Sequence, residues 1–129
     1  MLRILIVEDE KVNMLLTVTI LTHAGHVALQ ADTAGAGIAL ARSELPDLIL
    51  MDIQLPDIDG LEAIRQLRAD PRTRRIPVIA LTAFAMKGDK ETMRDAGFDG
   101  YVTKPIRYQA FLEEVELVVK RVKGAHQED

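Results

Sequence analysis

The stretch Pro46-Asp47-Leu48-Ile49-Leu50-Met51-Asp52 decides the fold. An unbroken apolar run closed by an acidic residue fits a strand buried on both faces, as in the middle of a parallel sheet. The run delivers Asp52 to its C-terminal end, and a turn signal, Leu55-Pro56-Asp57, follows at once. In open α/β sheets, chemistry collects outside the carboxyl ends of the strands. An ionised carboxylate at the end of an apolar strand therefore asks which other groups reach the same edge.

Upstream, Leu2–Val7 is a second apolar run, ended by Glu8-Asp9-Glu10. From Lys11 the period becomes helical, with Val12, Leu15, Leu16, Thr19, Ile20 and His23 on one predicted face and Gly25 as the stop. His26–Ala31 alternates loosely as a strand, and Thr33 is the predicted N-cap of a helix from Ala34 to Glu44, with Pro46 beyond it. Downstream, Asp59-Gly60-Leu61-Glu62 has capping-box spacing, and Leu61, Ile64 and Leu67 follow until Asp70-Pro71 breaks the helix. Pro77–Leu81 is a strand run with Thr82 at its end; a weaker helix spans Lys87–Ala96 and stops at Gly97. Asp99–Thr103 reads as the last strand, ending in Lys104-Pro105. Tyr108, Phe111, Leu112, Val115, Val118, Val119 and Val122 then form the clearest helical stripe.

Strands and helices thus alternate five times, which predicts an α/β three-layer sandwich with helices on both faces of a parallel sheet. For a (βα)5 chain the flavodoxin-like strand order 2-1-3-4-5 follows, making the first and third strands central neighbours. The domain is expected to span residues 1–123, with 124–129 a polar C-terminal tail.

The chain has 129 residues, 48% hydrophobic and 28% charged, as befits one soluble globular domain. A net charge of −4 argues against direct nucleic-acid binding. The short basic cluster Lys120-Arg121-Val122-Lys123 suits a helix C-terminus. There is no cysteine, hence no disulfide, thiolate metal site or cysteine nucleophile. No signal peptide or membrane span is legible, so a cytoplasmic location is expected, with no membrane partner.

Under the predicted order, strand ends bring Glu8, Asp9, Asp52, Thr82 and Lys104 to one edge. Converging carboxylates either raise one another's pKa or hold a cation. With only hard oxygens on offer, that cation is Mg2+, or Mn2+. Asp52 alone would serve equally as a helix cap, Thr82 as a turn residue and Lys104 as a surface charge; their conjunction is what points to chemistry. A metal, an ammonium and a hydroxyl around one ionised carboxylate are the parts of a phosphoryl-transfer site.

The series Glu8-Asp9, Asp52 with Leu55-Pro56-Asp57-Ile58-Asp59-Gly60, Leu81-Thr82-Ala83 and Lys104-Pro105 resembles the response-regulator receiver domain of two-component signalling, from Leu2 to about Lys123. The resemblance implies Asp52 as phospho-acceptor for a histidine kinase or a histidine phosphotransfer protein. It implies Mg2+ held by Asp9, Asp52 and the backbone carbonyl of Gln54, with Glu8 acting through water. Thr82 and Tyr101 match the family's switch pair, Lys104 its lysine, and Lys104-Pro105 would be a cis peptide. Gln54 and Phe84 would gate water at the phosphoryl group. Lys87, Lys90, Met93, Tyr101 and Arg107 would lie on a switched surface of the fourth helix, fifth strand and fifth helix. The opening Val7-Glu8-Asp9 with Asn13, and Phe84-Ala85-Met86-Lys87-Gly88-Asp89, resemble cell-cycle-type single-domain regulators and receivers of hybrid kinases. The expectation is a phosphorelay regulator without an output domain, catalysing only its own phosphorylation and dephosphorylation. It would act on a downstream protein target as a monomer or a phosphorylation-dependent dimer.

Three alternatives compete with this. A receiver excised from a larger hybrid kinase would look the same. A metal-dependent phosphohydrolase of the haloacid-dehalogenase type would also use an aspartyl nucleophile, but it needs a second Asp where Gln54 stands. A flavin-binding module would not present Glu8-Asp9-Glu10 to a phosphate. Gly35-Ala36-Gly37 has the start of a dinucleotide fingerprint, yet Leu40 occupies the third glycine's place. Two glycines opening a helix cost stability without an evident return.

Overall fold

The computed structural model describes residues 1–83 and 89–127, with only the backbone described at 89, 90 and 125–127. The elements alternate as expected: β1 (Arg3–Val7), α1 (Lys11–His23), β2 (Val27–Ala31), α2 (Ala34–Glu44), β3 (Leu48–Asp52), α3 (Gly60–Ala69), β4 (Val78–Thr82), α4 (Asp89–Ala96), β5 (Gly100–Thr103) and α5 (Tyr108–Gln127). All strand pairs are parallel and the order is β2-β1-β3-β4-β5. The quoted stretch is the central strand, and every residue of β3 is buried.

Alternation along the strands splits the core in two. Leu5, Val7, Ile49, Met51, Val78 and Ala80 face α2, α3 and α4, packing on Ile38, Ile64, Leu67 and Phe98. Ile4, Ile6, Leu48, Leu50, Ile79 and Leu81 face α1 and α5, packing on Ile20, Leu21, Phe111, Val115 and Val118. Burying a side chain of this size stabilises by roughly 1.5–3 kcal/mol, so both faces fix the register. Gly25 and Gly97 end α1 and α4 with φ of 93° and 116°, the left-handed region their missing Cβ permits. No helix among the described residues is long and apolar enough to cross a membrane.

Three elements differ from expectation. The face predicted for α1 is largely the wrong one: Val12, Leu15 and Leu16 are 70%, 67% and 40% exposed, and Thr19 and His23 are exposed too. The buried residues are Thr17, Ile20 and Leu21. Apolar residues surround most of this helix, so periodicity does not select a face. Thr17 can be buried because its hydroxyl donates to the Asn13 carbonyl at 2.8 Å. The capping box of α3 is half made. Asp59 accepts from the Glu62 N–H at 2.8 Å, but the Glu62 carboxylate turns to Arg65 and Gln66. Finally, α5 continues past Lys123 to Gln127, since one glycine at Gly124 does not stop a helix already propagating. Phe84 and Lys87, and the side chain of Lys90, lie outside the described residues.

Candidate phosphoryl-transfer site

The strand order places the carboxyl ends of β1, β3, β4 and β5 side by side. Glu8 and Asp9 follow β1, Asp52 ends β3, Thr82 ends β4, and Lys104 follows β5. Thr82 is registered against Thr103, and the Lys104 N–H donates to the Thr82 carbonyl at 2.8 Å, which sets the root of the lysine beside β4. The Lys104–Pro105 peptide is cis, as the resemblance implies.

From that root the Lys104 ammonium reaches across the sheet edge. Nζ donates to Glu8 Oε1 at 2.6 Å and to Asp52 Oδ2 at 2.8 Å. The other Asp52 oxygen, Oδ1, accepts from the Gln54 N–H at 2.9 Å. Glu8 is buried, Asp52 is 6% exposed, and Asp9 is exposed at the mouth. Each of the three carboxylates offers an oxygen within 4.8 Å of the others. Glu8 Oε2 is buried without a hydrogen-bond partner among the described residues. Such an orphaned acceptor is costly unless a proton, a water or a cation occupies the space.

Burial, with the contact to Asp52, pushes the Glu8 carboxyl up to about 7 against the pull of Lys104. Burial acts to raise Asp52 as well, but hydrogen bonds from Glu8, Lys104 and the Gln54 N–H outweigh it and hold Asp52 below its usual range. Burial would lower Lys104, yet its bonds to Asp52 and Glu8 keep it raised. The edge therefore holds an ionised Asp52 beside a Glu8 that readily carries a proton. A hard divalent cation in place of that proton would leave the cluster neutral and able to receive an anion.

The structure brings Glu8, Asp9, Asp52 and Lys104 together, with Thr82 at the adjoining strand end. Tyr101 is elsewhere: it pairs with Ala80 along β5, half-buried against the core facing α3 and α4. Gln54 shows its side chain to solvent while its backbone stays on Asp52. Three roles escaped the sequence. Glu10 caps α1, accepting from the N–H groups of Val12 and Asn13 at 3.2 and 2.7 Å. Asp57 accepts from two N–H groups at the start of α2. Arg68, from α3, donates to the carbonyls of Arg74, Ile76 and Gly97 and to Asp99. A Glu immediately ahead of a helix is a visible cue for the first; the other two depend on loop paths.

A doubly wound sheet with a carboxylate–ammonium centre at the carboxyl ends of its strands is a setting suited to phosphoryl transfer. The chain belongs to the response regulator receiver domain family, whose sequence profile matches residues 4–116. It is 44% identical over 113 residues to the polar-differentiation response regulator DivK of Brucella ovis, covering 88% of this chain and 92% of that protein. Among solved structures, the receiver domain of a sensor histidine kinase from Pseudomonas aeruginosa, which has a magnesium ion coordinated in its active-site cleft, is 35% identical. It superposes with a TM-score of 0.80, covering 95% of this chain and 98% of that one. A CheY-like receiver domain protein from Methanospirillum hungatei is 30% identical with a TM-score of 0.85, covering 95% and 97%. The family membership makes this chain a phosphorelay response regulator and displaces the haloacid-dehalogenase alternative.

Proposed function

We propose that Asp52 is the residue that accepts the phosphoryl group, from a histidine kinase or a histidine phosphotransfer protein. The observation that carries this reading is the Lys104 ammonium bridging Glu8 and Asp52 beside the orphaned Glu8 Oε2. Mg2+ fits the donor set: Asp9, Asp52 and the Gln54 carbonyl would hold it, with Glu8 assisting through water. When bound, the cation neutralises charge on the phosphoryl oxygens and leaves Asp52 ionised. An Asp52 oxygen forms the new bond to phosphorus as the bond to the donor imidazole nitrogen breaks, its electron pair returning to that nitrogen. Lys104 can leave Asp52 to meet a phosphoryl oxygen without crossing the site, and the Thr82 hydroxyl lies at the adjoining strand end. Water attacking the same phosphorus regenerates Asp52, so the chain catalyses only its own phosphorylation and dephosphorylation.

The signal leaves through α4, β5 and α5. A groove of about 810 Å3 runs over β5, lined among others by Met93, Phe98, Tyr101, Glu114 and Leu117. Tyr101 is half-buried in that wall, and a change of its rotamer would reshape the groove where a downstream protein would bind. The cytoplasm, where kinases of this type hold their substrates, is the location that suits this role.

Acetyl phosphate with Mg2+ should add one phosphoryl group to the wild-type chain by intact mass, and chelation or Asp52→Ala should abolish it. A modification that survives Asp52→Ala refutes the assignment.

A further inference from the structure

The first turn of α2, Ala34-Gly35-Ala36-Gly37, is a poor helix start by composition. Its surroundings explain both glycines. A Cβ on Gly37 would stand 2.6 Å from a Val7 methyl, so the glycine lets α2 lie against the end of β1, next to Glu8. A Cβ on Gly35 would stand 3.3 Å from Asp57 Oδ2. Asp57 needs that space because its carboxylate straddles the start of α2, taking the Ala34 N–H at 2.9 Å on Oδ1 and the Gly35 N–H at 2.8 Å on Oδ2. Thr33, the N-cap, takes the Ala36 N–H at 3.1 Å. The cap of α2 is thus shared between its own Thr33 and a residue of the β3–α3 loop.

That loop leaves the sheet at Asp52 and carries Gln54, whose N–H holds Asp52 Oδ1 and whose carbonyl belongs to the proposed cation site. Asp57 lies three residues beyond Gln54, so its two bonds to α2 fix the far end of the segment. Asp57 is itself exposed, and the Gly35 and Ala34 N–H groups hold its carboxyl below the usual range. It remains ionised at neutral pH, so both bonds are charge-assisted and favoured by the helix dipole.

We infer that Asp57 is a positioning residue: anchored on the α2 N-terminus, it holds the Gln54 carbonyl in place for Mg2+ and couples the state of the Asp52 site to α2, a proposal that rests on the Asp52 and Mg2+ assignment above. Outer partners that orient metal ligands typically contribute about 10–100-fold to metal affinity. An anchor acting through three backbone residues belongs at the lower end, about 10-fold.

The test is Mg2+ titration of the full chain followed by amide chemical shifts, in wild type and Asp57→Ala. In wild type, Ala34 and Gly35 amides should shift with the same midpoint as Asp9 and Gln54. In Asp57→Ala that midpoint should rise about 10-fold, while unfolding in EDTA stays cooperative. Asp57→Ala also removes a negative charge near the site, so the titration is repeated in about 1 M KCl, where the screening length is about 3 Å. A deficit persisting there comes through the anchor. Silent α2 amides in wild type, an unchanged midpoint in Asp57→Ala, or a deficit that vanishes in high salt each overturns the anchor while leaving the Asp52 site standing. A wild-type titration that Asp52→Asn does not weaken overturns the site itself, and the anchor with it.

Discussion

Lys104→Met isolates the electrostatics of the site. The ammonium is 2.6 Å from Glu8 Oε1 and 2.8 Å from Asp52 Oδ2, and the three side chains are 16%, 0% and 8% exposed. Removing one member of a buried ion pair costs about 3–5 kcal/mol, because the charge left behind has neither water nor partner. The loss should depend on pH in a definite sense. Glu8 rises from 4.5 to about 7 in the folded protein even with Lys104 present. Between those values the folded chain holds a proton that the unfolded chain has released, so stability falls as pH climbs through this window. At 1.36 kcal/mol per unit, that fall is about 3 kcal/mol. Without Lys104 the attraction lowering Glu8 is gone while burial and Asp52 remain, so Glu8 rises further and the decline extends above pH 7. At pH 5 Glu8 is neutral, donates to Asp52, and the deficit should shrink to about 1–2 kcal/mol. Urea unfolding in EDTA at pH 5 and pH 8 measures both numbers. Mg2+ at pH 8 should recover part of the loss, by RT ln(1 + [Mg2+]/Kd). Equal deficits at the two pH values would refute the view that Glu8 stores a proton against Asp52.

Leu45 ends α2 with φ 47° and is 55% exposed, so Leu45→Gly should relieve left-handed strain without opening the core. A gain of about 1 kcal/mol is expected, and an unchanged urea midpoint would show the strain is already offset. Arg68→Met strands the carbonyls of Arg74, Ile76 and Gly97 and the Asp99 carboxylate, with an expected loss of about 3 kcal/mol and faster amide exchange at Phe98 and Asp99. A loss under about 0.5 kcal/mol would mean water replaces the guanidinium. Beryllofluoride with Mg2+ should shift the amides of Thr82 and Tyr101 and of α4, a population change worth about 1–3 kcal/mol. Shifts confined to the loops around Asp52 would leave the Thr82–Tyr101 switch without support.

What the sequence could show depended on whether one signal dominated locally. β3 was legible because burial on both faces leaves nothing but apolar residues between Asp47 and Asp52. The face of α1 was not, because Val12, Met14, Leu15, Leu16, Val18, Ile20 and Leu21 surround the helix. Its burial is set by where the sheet lies, and a threonine whose hydroxyl donates to the Asn13 carbonyl one turn back occupies the core side. Asp57 and Arg68 act across loops, at separations of 22 to 31 residues from Gly35, Ala34, Gly97 and Asp99. No periodicity encodes such contacts, although the two glycines of α2 left a trace of one.

The adjacent acids Glu8 and Asp9 show the same limit at the site. In sequence they are a redundant pair, two carboxylates at one strand end. In the fold, successive residues leave a strand in different directions. Glu8 enters the interior, where its extra methylene carries Oε1 to Lys104 and leaves Oε2 unpaired; Asp9 faces solvent. Burial therefore pushes one carboxyl up, to about 7. The other stays exposed at the edge of the cluster. Exchanging them should not be neutral, even though Glu8→Asp with Asp9→Glu preserves composition and charge: the shorter acid inside falls short of Lys104, and the ammonium no longer bridges that carboxylate to Asp52.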